Sequence, residues 1–173
     1  MKYSILLFTL ILSVNYYLGQ EINHVNGKFS YTKVLTFQDK QKDSLYGYLK
    51  KWFDVEKRYT ISNLKEFDDE MSGILVETNT NFYGKKYSEL RCNFNFSFRD
   101  NKIKIVLDQI LIADISGGKE PINEILFDFY KGKEIKSKKA LNRKSEVESL
   151  LNNMVDQLTR FIEKNGTLKE DDW

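Results

Sequence analysis

The strictest pattern in this sequence is the alternation of polar and apolar residues between Arg91 and Leu107, which reads RCNFNFSFRDNKIKIVL. Side chains in a strand point alternately to the two faces of a sheet. One face of this segment therefore carries Cys92 and three phenylalanines, and the other face is polar. The tetrad at 99–102, RDNK, predicts a tight reversal between two strands. Because the apolar face has to be buried, the rest of the chain must supply a layer that covers it.

Two segments have the helical period that such a layer requires. In the first, at 41–58, the apolar residues fall on one side of a 3.6-residue helix: Leu45, Leu49, Trp52 and Phe53, with Tyr48 flanking. The second segment begins at Ser145, whose spacing to Glu148 is that of a capping box. Its apolar stripe consists of Val147, Leu150, Leu151, Met154, Val155, Leu158, Phe161 and Ile162. We expect both helices to lie on the phenylalanine face of the sheet.

The remaining strands complete an α+β fold. Residues 27–37 are rich in aromatic and β-branched types, and residues 63–82 read as two strands around a turn that contains Asp68, Asp69 and Glu70. The predicted architecture is an antiparallel five-stranded sheet with both helices on one face, in the order β-α-β-β-β-β-(insertion)-α. The insertion spans 116–144, and a short helix from Pro121 to about Tyr130 is expected within it.

The polar face of this sheet is the surface with the best claim to a function. The candidate residues are those that uninterrupted alternation places on it: Arg91, Asn93, Asn95, Lys104, Val106, Asp108, Ile110 and Ile112. The apolar residues among them are more than a purely solvated face needs. Two explanations stay open: a ligand or partner lies on this face, or the segment 121–130 folds back over part of it.

The first twenty residues have the layout of a secretory signal. Lys2 precedes an apolar run of 12 residues from Tyr3 to Val14, and a more polar stretch ends at Gln20. As a helix the run would rise about 18 Å, which is short of the roughly 30 Å of bilayer hydrocarbon. We therefore expect export, with cleavage near Gln20, and a single domain over 21–173 in the periplasm or outside the cell.

The charge balance argues against a nucleic-acid partner. Removal of Lys2 with the signal leaves 26 of the 27 basic residues against 25 acidic ones, a balance of +1, whereas nucleic-acid binding needs a concentrated basic excess. The one strongly basic stretch is 131–144, KGKEIKSKKALNRK. It predicts either a solvated connection or weak contact with an anionic surface.

The residues needed for catalysis or for a metal site are scarce. His24 is the only histidine and falls in what reads as a flexible leader, and Cys92 is the only cysteine and shares the face of the phenylalanines. The acidic turn at 68–70 reads as solvated rather than as a cation site. Asp108 and Asp114 would share a strand face but stand roughly 20 Å apart, too far for acid and base to act on one bond. We expect no enzyme, cofactor or metal.

Four segments resemble a known bacterial family: GKFSYTKV at 27–34, LYGYLKKWF at 45–53, DDEMSGILV at 68–76 and FNFSFRDNKIKI at 94–105. Together they are similar to domain-of-unknown-function family 4468, over residues 27 to about 115. The resemblance implies export and a fold like that of the TATA-binding protein (TBP), and it transfers no functional residue. Asn101 stands where family members tend to have glycine, and asparagine also tolerates positive φ.

These observations predict an exported, non-enzymatic interaction domain that binds another envelope component through its open sheet face or its insertion. The alternative is a protein that binds a small apolar or amphipathic molecule between the sheet and the insertion.

Overall fold

The computed structural model describes residues 22–25, 28–78, 81–82, 85–114, 119–121, 127–128 and 133–166. The strands in these ranges are β1 (Ile22–Val25), β2 (Lys28–Thr36), β3 (Tyr59–Phe67), β4 (Glu70–Thr78), β5 (Asn81–Phe82), β6 (Lys85–Arg99), β7 (Lys102–Asp114), β8 (Lys119–Pro121), β9 (Phe127–Asp128) and β10 (Lys133–Glu134). The helices are α1 (Lys42–Val55) and α2 (Lys138–Gly166). The signal predicted for residues 1–20 lies outside the described residues. No helix in the described ranges has the length and apolarity that crossing a membrane requires.

The main sheet is antiparallel, with neighbouring strands in the order β1-β2-β7-β6-β4-β3. The short strands β5 and β8 pair with β6 and β7, and β9 and β10 form a separate ribbon. The predicted α+β class is confirmed, and the described part of this path has six strands instead of the five predicted. The additional strand is β1, in which His24 pairs with Phe29, so the expectation that His24 lies in a flexible leader is wrong.

The phenylalanine face is buried under the helices, as predicted. Phe94, Phe96 and Phe98 are at most 2% exposed. On α1, Phe53 packs against Phe94 and Phe96, with ring centroids 5.7 and 6.0 Å apart, and Tyr46 meets the Phe98 ring edge-on at 5.2 Å. α2 lies over the other half of the sheet. Its Asn152 accepts a 2.7 Å hydrogen bond from the Tyr31 hydroxyl of β2, and its Val147, Leu151, Val155 and Ile162 are fully buried.

The turn between β6 and β7 also fixes the start of α1. Asn101 has a positive φ of 64°, which asparagine tolerates better than most residues. Its side-chain oxygen accepts a 2.8 Å hydrogen bond from the backbone N–H of Lys40. The neighbouring Asp100 carboxylate accepts a 2.9 Å bond from the N–H of Lys42, the first residue of α1. An acidic side chain at this position satisfies one of the unpaired donors of the helix and suits its dipole.

α2 begins seven residues before the predicted start at Ser145. The hydroxyl of Ser137 accepts a 3.2 Å hydrogen bond from the N–H of Ala140, so Ser137 caps the helix. The segment between Lys138 and Lys144 contains no glycine or proline and is rich in good helix formers, and its Ala140 is buried in the core. The capping box predicted for Ser145 and Glu148 is therefore wrong, because both residues lie inside the helix.

A bulge in β7 reverses the alternation beyond Asp108. Asn93 pairs with Asp108 and Arg91 with Leu111, so an interval of two residues on β6 is matched by an interval of three residues on β7. The extra residue is Gln109, with a positive φ of 48°. Ile110 and Ile112 consequently lie in the core at 1% exposure, and their predicted place on the open face is wrong. The prediction that Asp108 and Asp114 share a strand face assumed unbroken alternation. The bulge at Gln109 lies between them and breaks this alternation.

The insertion is built differently from the prediction. Pro121 lies in β8, paired with Leu111 at the edge of the sheet, where a residue without an N–H is tolerated. Phe127 and Asp128 form β9, which pairs with β10, so the predicted helix from Pro121 to Tyr130 is wrong at these positions. Residues 122–126, 129 and 130 lie outside the described ranges. The described residues therefore do not test whether 121–130 covers the open face.

Candidate functional site

The face of the sheet opposite the helices, the outer face, carries six of the eight predicted site residues. Strand pairing places Asn93 opposite Asp108, Asn95 opposite Val106, and Arg91 opposite Leu111. Lys104 is exposed on the same face, between Val34 and Ser97. The two residues missing from this face are Ile110 and Ile112, for the reason given above.

The outer face contains a groove of about 370 Å³. Its lining comes from four neighbouring strands, β3, β4, β6 and β7. The residues that line it are Asn63, Lys65, Ser72, Gly73, Ile74, Asn93, Phe94, Asn95, Val106 and Asp108. Four of the predicted residues, Asn93, Asn95, Val106 and Asp108, are thus brought together, whereas Arg91 and Lys104 do not line the groove.

Two bulges flank the groove. Gln109 is the extra residue on the β7 side, and on the β3 side the pairing with β4 skips from Ser62 to Lys65. Asn63 lies in that skip with a positive φ of 54°. Bulges bend a strand and increase its local twist, so both borders of the groove are places where the sheet departs from regular pairing.

The floor of the groove combines hydrogen-bonding and apolar side chains. One row across the sheet runs from Lys65 through Ser72 and Asn95 to Val106, and the next runs from Ser62 through Ile74 and Asn93 to Asp108. Ser72, Ile74, Asn93, Asn95 and Val106 are half-buried, whereas Lys65 and Asp108 are exposed at the rim. The groove can therefore donate and accept hydrogen bonds and also contact an apolar group.

The rim has opposite charges on its two sides. Lys65 lies on β3 and Asp108 on β7, three strand spacings across the sheet and two residues along it, so their Cα atoms are about 15 Å apart. A ligand that crosses the groove would meet a cation at one end and an anion at the other. That span corresponds to about four residues of extended polypeptide.

Glu70 lies beside the groove and holds part of its polar floor. Its carboxylate accepts long hydrogen bonds from the Asn95 amide, at 3.5 Å, and the Ser97 hydroxyl, at 3.4 Å. Ser97 also donates to the Asn95 side-chain oxygen at 3.3 Å. These contacts are at the outer limit of hydrogen-bond length, so the Asn95 amide can exchange them for ligand contacts at little cost.

Sequence reasoning missed the residues that β3 and β4 contribute, namely Asn63, Lys65, Ser72 and Ile74. The alternation of EMSGILVE in β4 contains a usable signal, because buried Met71 and Leu75 imply that Ser72 and Ile74 face outward. Gly73 lies on the core side between them. A Cβ atom there would approach the Phe94 ring and the Ser62 carbonyl oxygen to 3.0 Å, which explains the glycine.

The other chemically interesting side chains have structural surroundings. Burial raises the pKa of the Cys92 thiol to about 12, so this cysteine is a small core residue, as predicted, and not a nucleophile. In the acidic turn, Asp69 accepts a 2.7 Å salt bridge from Lys42 of α1. The described residues contain no cluster of histidine, cysteine and carboxylate side chains that could hold a metal ion.

Comparisons with known proteins give the fold and leave the function open. No protein-family model matches the sequence, and neither does any curated protein. Among solved structures, a DUF4468 family protein from Bacteroides ovatus matches with a TM-score of 0.58 and 12% identity, over 82% of this chain and 90% of that one.

A TBP-like protein from Parabacteroides distasonis matches with the same TM-score and identity, over 82% of this chain and 97% of that one. These two neighbours are the kinds of protein that the sequence resemblance indicated. At 12% identity these matches show a similar fold and nothing more. The chain therefore has the TBP-like α+β fold, with both described helices on one face of an antiparallel sheet.

Proposed function

We propose that this chain is an exported, non-enzymatic binding domain whose outer-face groove holds a short segment of a partner protein in the cell envelope. The observation that carries the proposal is the groove itself, a concave site on the face that the helices leave uncovered, lined by Asn93, Asn95 and Ser72 beside Ile74 and Val106. Export is supported by the pattern of residues 1–20.

The chemistry of the lining favours an extended peptide. Side-chain amides and a hydroxyl can pair with the backbone N–H and C=O groups of a bound segment, and Ile74 and Val106 offer contact to its apolar side chains. The opposite charges of Lys65 and Asp108, on residues about 15 Å apart, would orient such a segment. A non-enzymatic role is supported by the buried thiol of Cys92 and by the separation of Lys65 and Asp108, the titratable side chains of the lining, which lie on opposite sides of the groove.

The test is to fill the groove with a bulky side chain. Ser72→Phe would place a ring in the centre of the groove, whereas Thr36→Phe would place the same ring on the outer face at the far end of β2. The full chain and both variants are compared as baits for envelope proteins, followed by direct affinity measurement on any partner found. We expect Ser72→Phe to weaken binding at least about tenfold and Thr36→Phe to bind like the parent.

Equal binding by all three proteins would contradict a groove-based function, provided that circular dichroism shows both variants folded. A second candidate, a small amphipathic ligand, is favoured by the volume of about 370 Å³, which is in the range of small-molecule sites. Native mass spectrometry of protein purified from its source separates the two candidates. A bound small mass that is absent from Ser72→Phe would identify the small ligand.

A further inference from the structure

The N-terminal end of α2 carries a cluster of exposed cations. Between residues 133 and 144 the chain has six basic residues and a single acidic one, Glu134. Lys133, Lys136, Lys138 and Lys139 are exposed. Leu141, one turn after Lys138, is 52% exposed and is among the few large apolar side chains on the surface of the described residues. We refer to Lys133, Lys136, Lys138, Lys139 and Leu141 together as the basic end.

The position of the basic end concentrates its charge. The N-terminus of a helix already bears the positive end of the helix dipole, so acidic residues are usual there and lysines are unfavourable. The first turn of α2 contains no acidic residue and begins with Lys138 and Lys139. Lysines at this position lower the stability of the helix end. They also give it a positive charge that attracts a negatively charged surface.

We propose that the basic end docks on the surface of a bilayer that contains anionic phospholipid. The lysines contact the headgroup phosphates, and Leu141 enters the interface beside Lys138. Charge complementarity and one inserted apolar side chain are the ordinary basis of such reversible binding. This surface is on the helix layer, so the inference does not depend on the groove.

The experiment is co-sedimentation of the full chain with vesicles of phosphatidylcholine alone or of phosphatidylcholine mixed with phosphatidylglycerol. We expect tighter binding to the anionic vesicles, with the excess lost in high salt. The variant K136E/K138E/K139E should bind the anionic vesicles on the order of a hundredfold more weakly, since each cation near such a surface contributes about fivefold. Leu141→Ala should weaken binding several-fold in both low and moderate salt.

The control K28E/K51E/K102E makes the same charge change at exposed lysines outside α2 and should retain most of the binding. Any contribution of residues 1–20 is common to all these proteins, so it cancels in the comparison of test and control variants. The triple reversal puts acidic residues at a helix N-terminus, so its melting temperature should be equal or higher, which excludes unfolding as the cause of lost binding. Equal binding to both kinds of vesicle, or equal losses in the test and control variants, would overturn the proposal.

Discussion

The two faces of the main sheet are made from the same strands, but their side chains are held in place by different interactions. On the helix-covered face every position is constrained by packing, and Phe94, Phe96, Ile103 and Ile105 are almost completely buried. On the outer face the neighbours Asn95 and Ser97 make only long hydrogen bonds to Glu70. The difference indicates that packing on the covered face supplies most of the stability, so that side chains on the outer face can change at little cost to folding.

The largest expected effect comes from placing a charge on the covered face at the end of β7. Ile110→Asp would put a carboxylate at a position that the bulge turns into the core, where Ile110 is 1% exposed. A buried charge without a partner should lower the unfolding free energy by about 4 kcal/mol or more, enough to unfold many domains. Circular dichroism and urea unfolding would measure it.

Gln109→Asp is the matched control for this variant. It adds the same charge at the neighbouring exposed residue of the bulge, whose positive φ of 48° aspartate tolerates, so its stability should stay within about 1 kcal/mol of the parent. An Ile110→Asp variant as stable as Gln109→Asp would show that the bulge does not place this isoleucine in the core.

A smaller effect is expected from truncating adjacent side chains on opposite faces of β6. Phe96→Ala removes a fully buried ring that packs against Phe53 and Phe94, so it should lower the unfolding free energy by about 3–5 kcal/mol. Asn95→Ala should change it by less than about 0.5 kcal/mol. Urea unfolding curves with equal slopes would measure both. Comparable losses for the two variants would mean that the outer face also carries stability.

The smallest effect concerns a carboxylate on the covered face. Glu77 pairs with Tyr59 and Leu90, and burial raises its pKa, partly offset by Arg58. An acid whose folded pKa exceeds its unfolded pKa binds its proton more tightly when folded. It therefore contributes stability while protonated at low pH, and that contribution is lost as the pH rises through the raised pKa.

We accordingly expect Glu77→Gln to match the parent in melting temperature under acid conditions and to exceed it near neutral pH. Thermal melts from below the ordinary carboxyl range up to neutral pH would show the two curves separate. Asp108→Asn, which removes one carboxylate from the exposed rim instead, is the control. Parallel curves for Glu77→Gln and the parent would mean that the carboxylate is not penalised by burial.

Much of the covered face could be predicted from sequence because its signal is local. The alternation around Phe94, Phe96 and Phe98 predicted the buried face, and the spacing of Leu45, Leu49 and Trp52 predicted the side of α1 that packs on it. The start of α2 was misplaced because Ser145 and Glu148 imitate a helix cap. Nothing in the local pattern indicates that Glu148 instead accepts a hydrogen bond from the N–H of Ile22 in β1.

The candidate site was only half predictable. Asn93, Asn95, Val106 and Asp108 follow from the alternation of one hairpin, whereas Ser72 and Ile74 join them only through the pairing of β4 with β6. Ile110 and Ile112 were assigned to the wrong face because glutamine gives no signal of a bulge. A bulge depends on how two strands fit over their whole length, and that fit is not encoded in any short window.

By itself, the sequence determined that this chain forms a sheet with one apolar face and two amphipathic helices to cover it, because burial imposes periods of 2 and 3.6 on any chain that folds in this way. The tertiary structure alone decided where the alternation breaks and which strands meet on the uncovered face. Those features arise from long-range pairing, in which residues far apart in sequence fix each other's register, and they are what shape the groove.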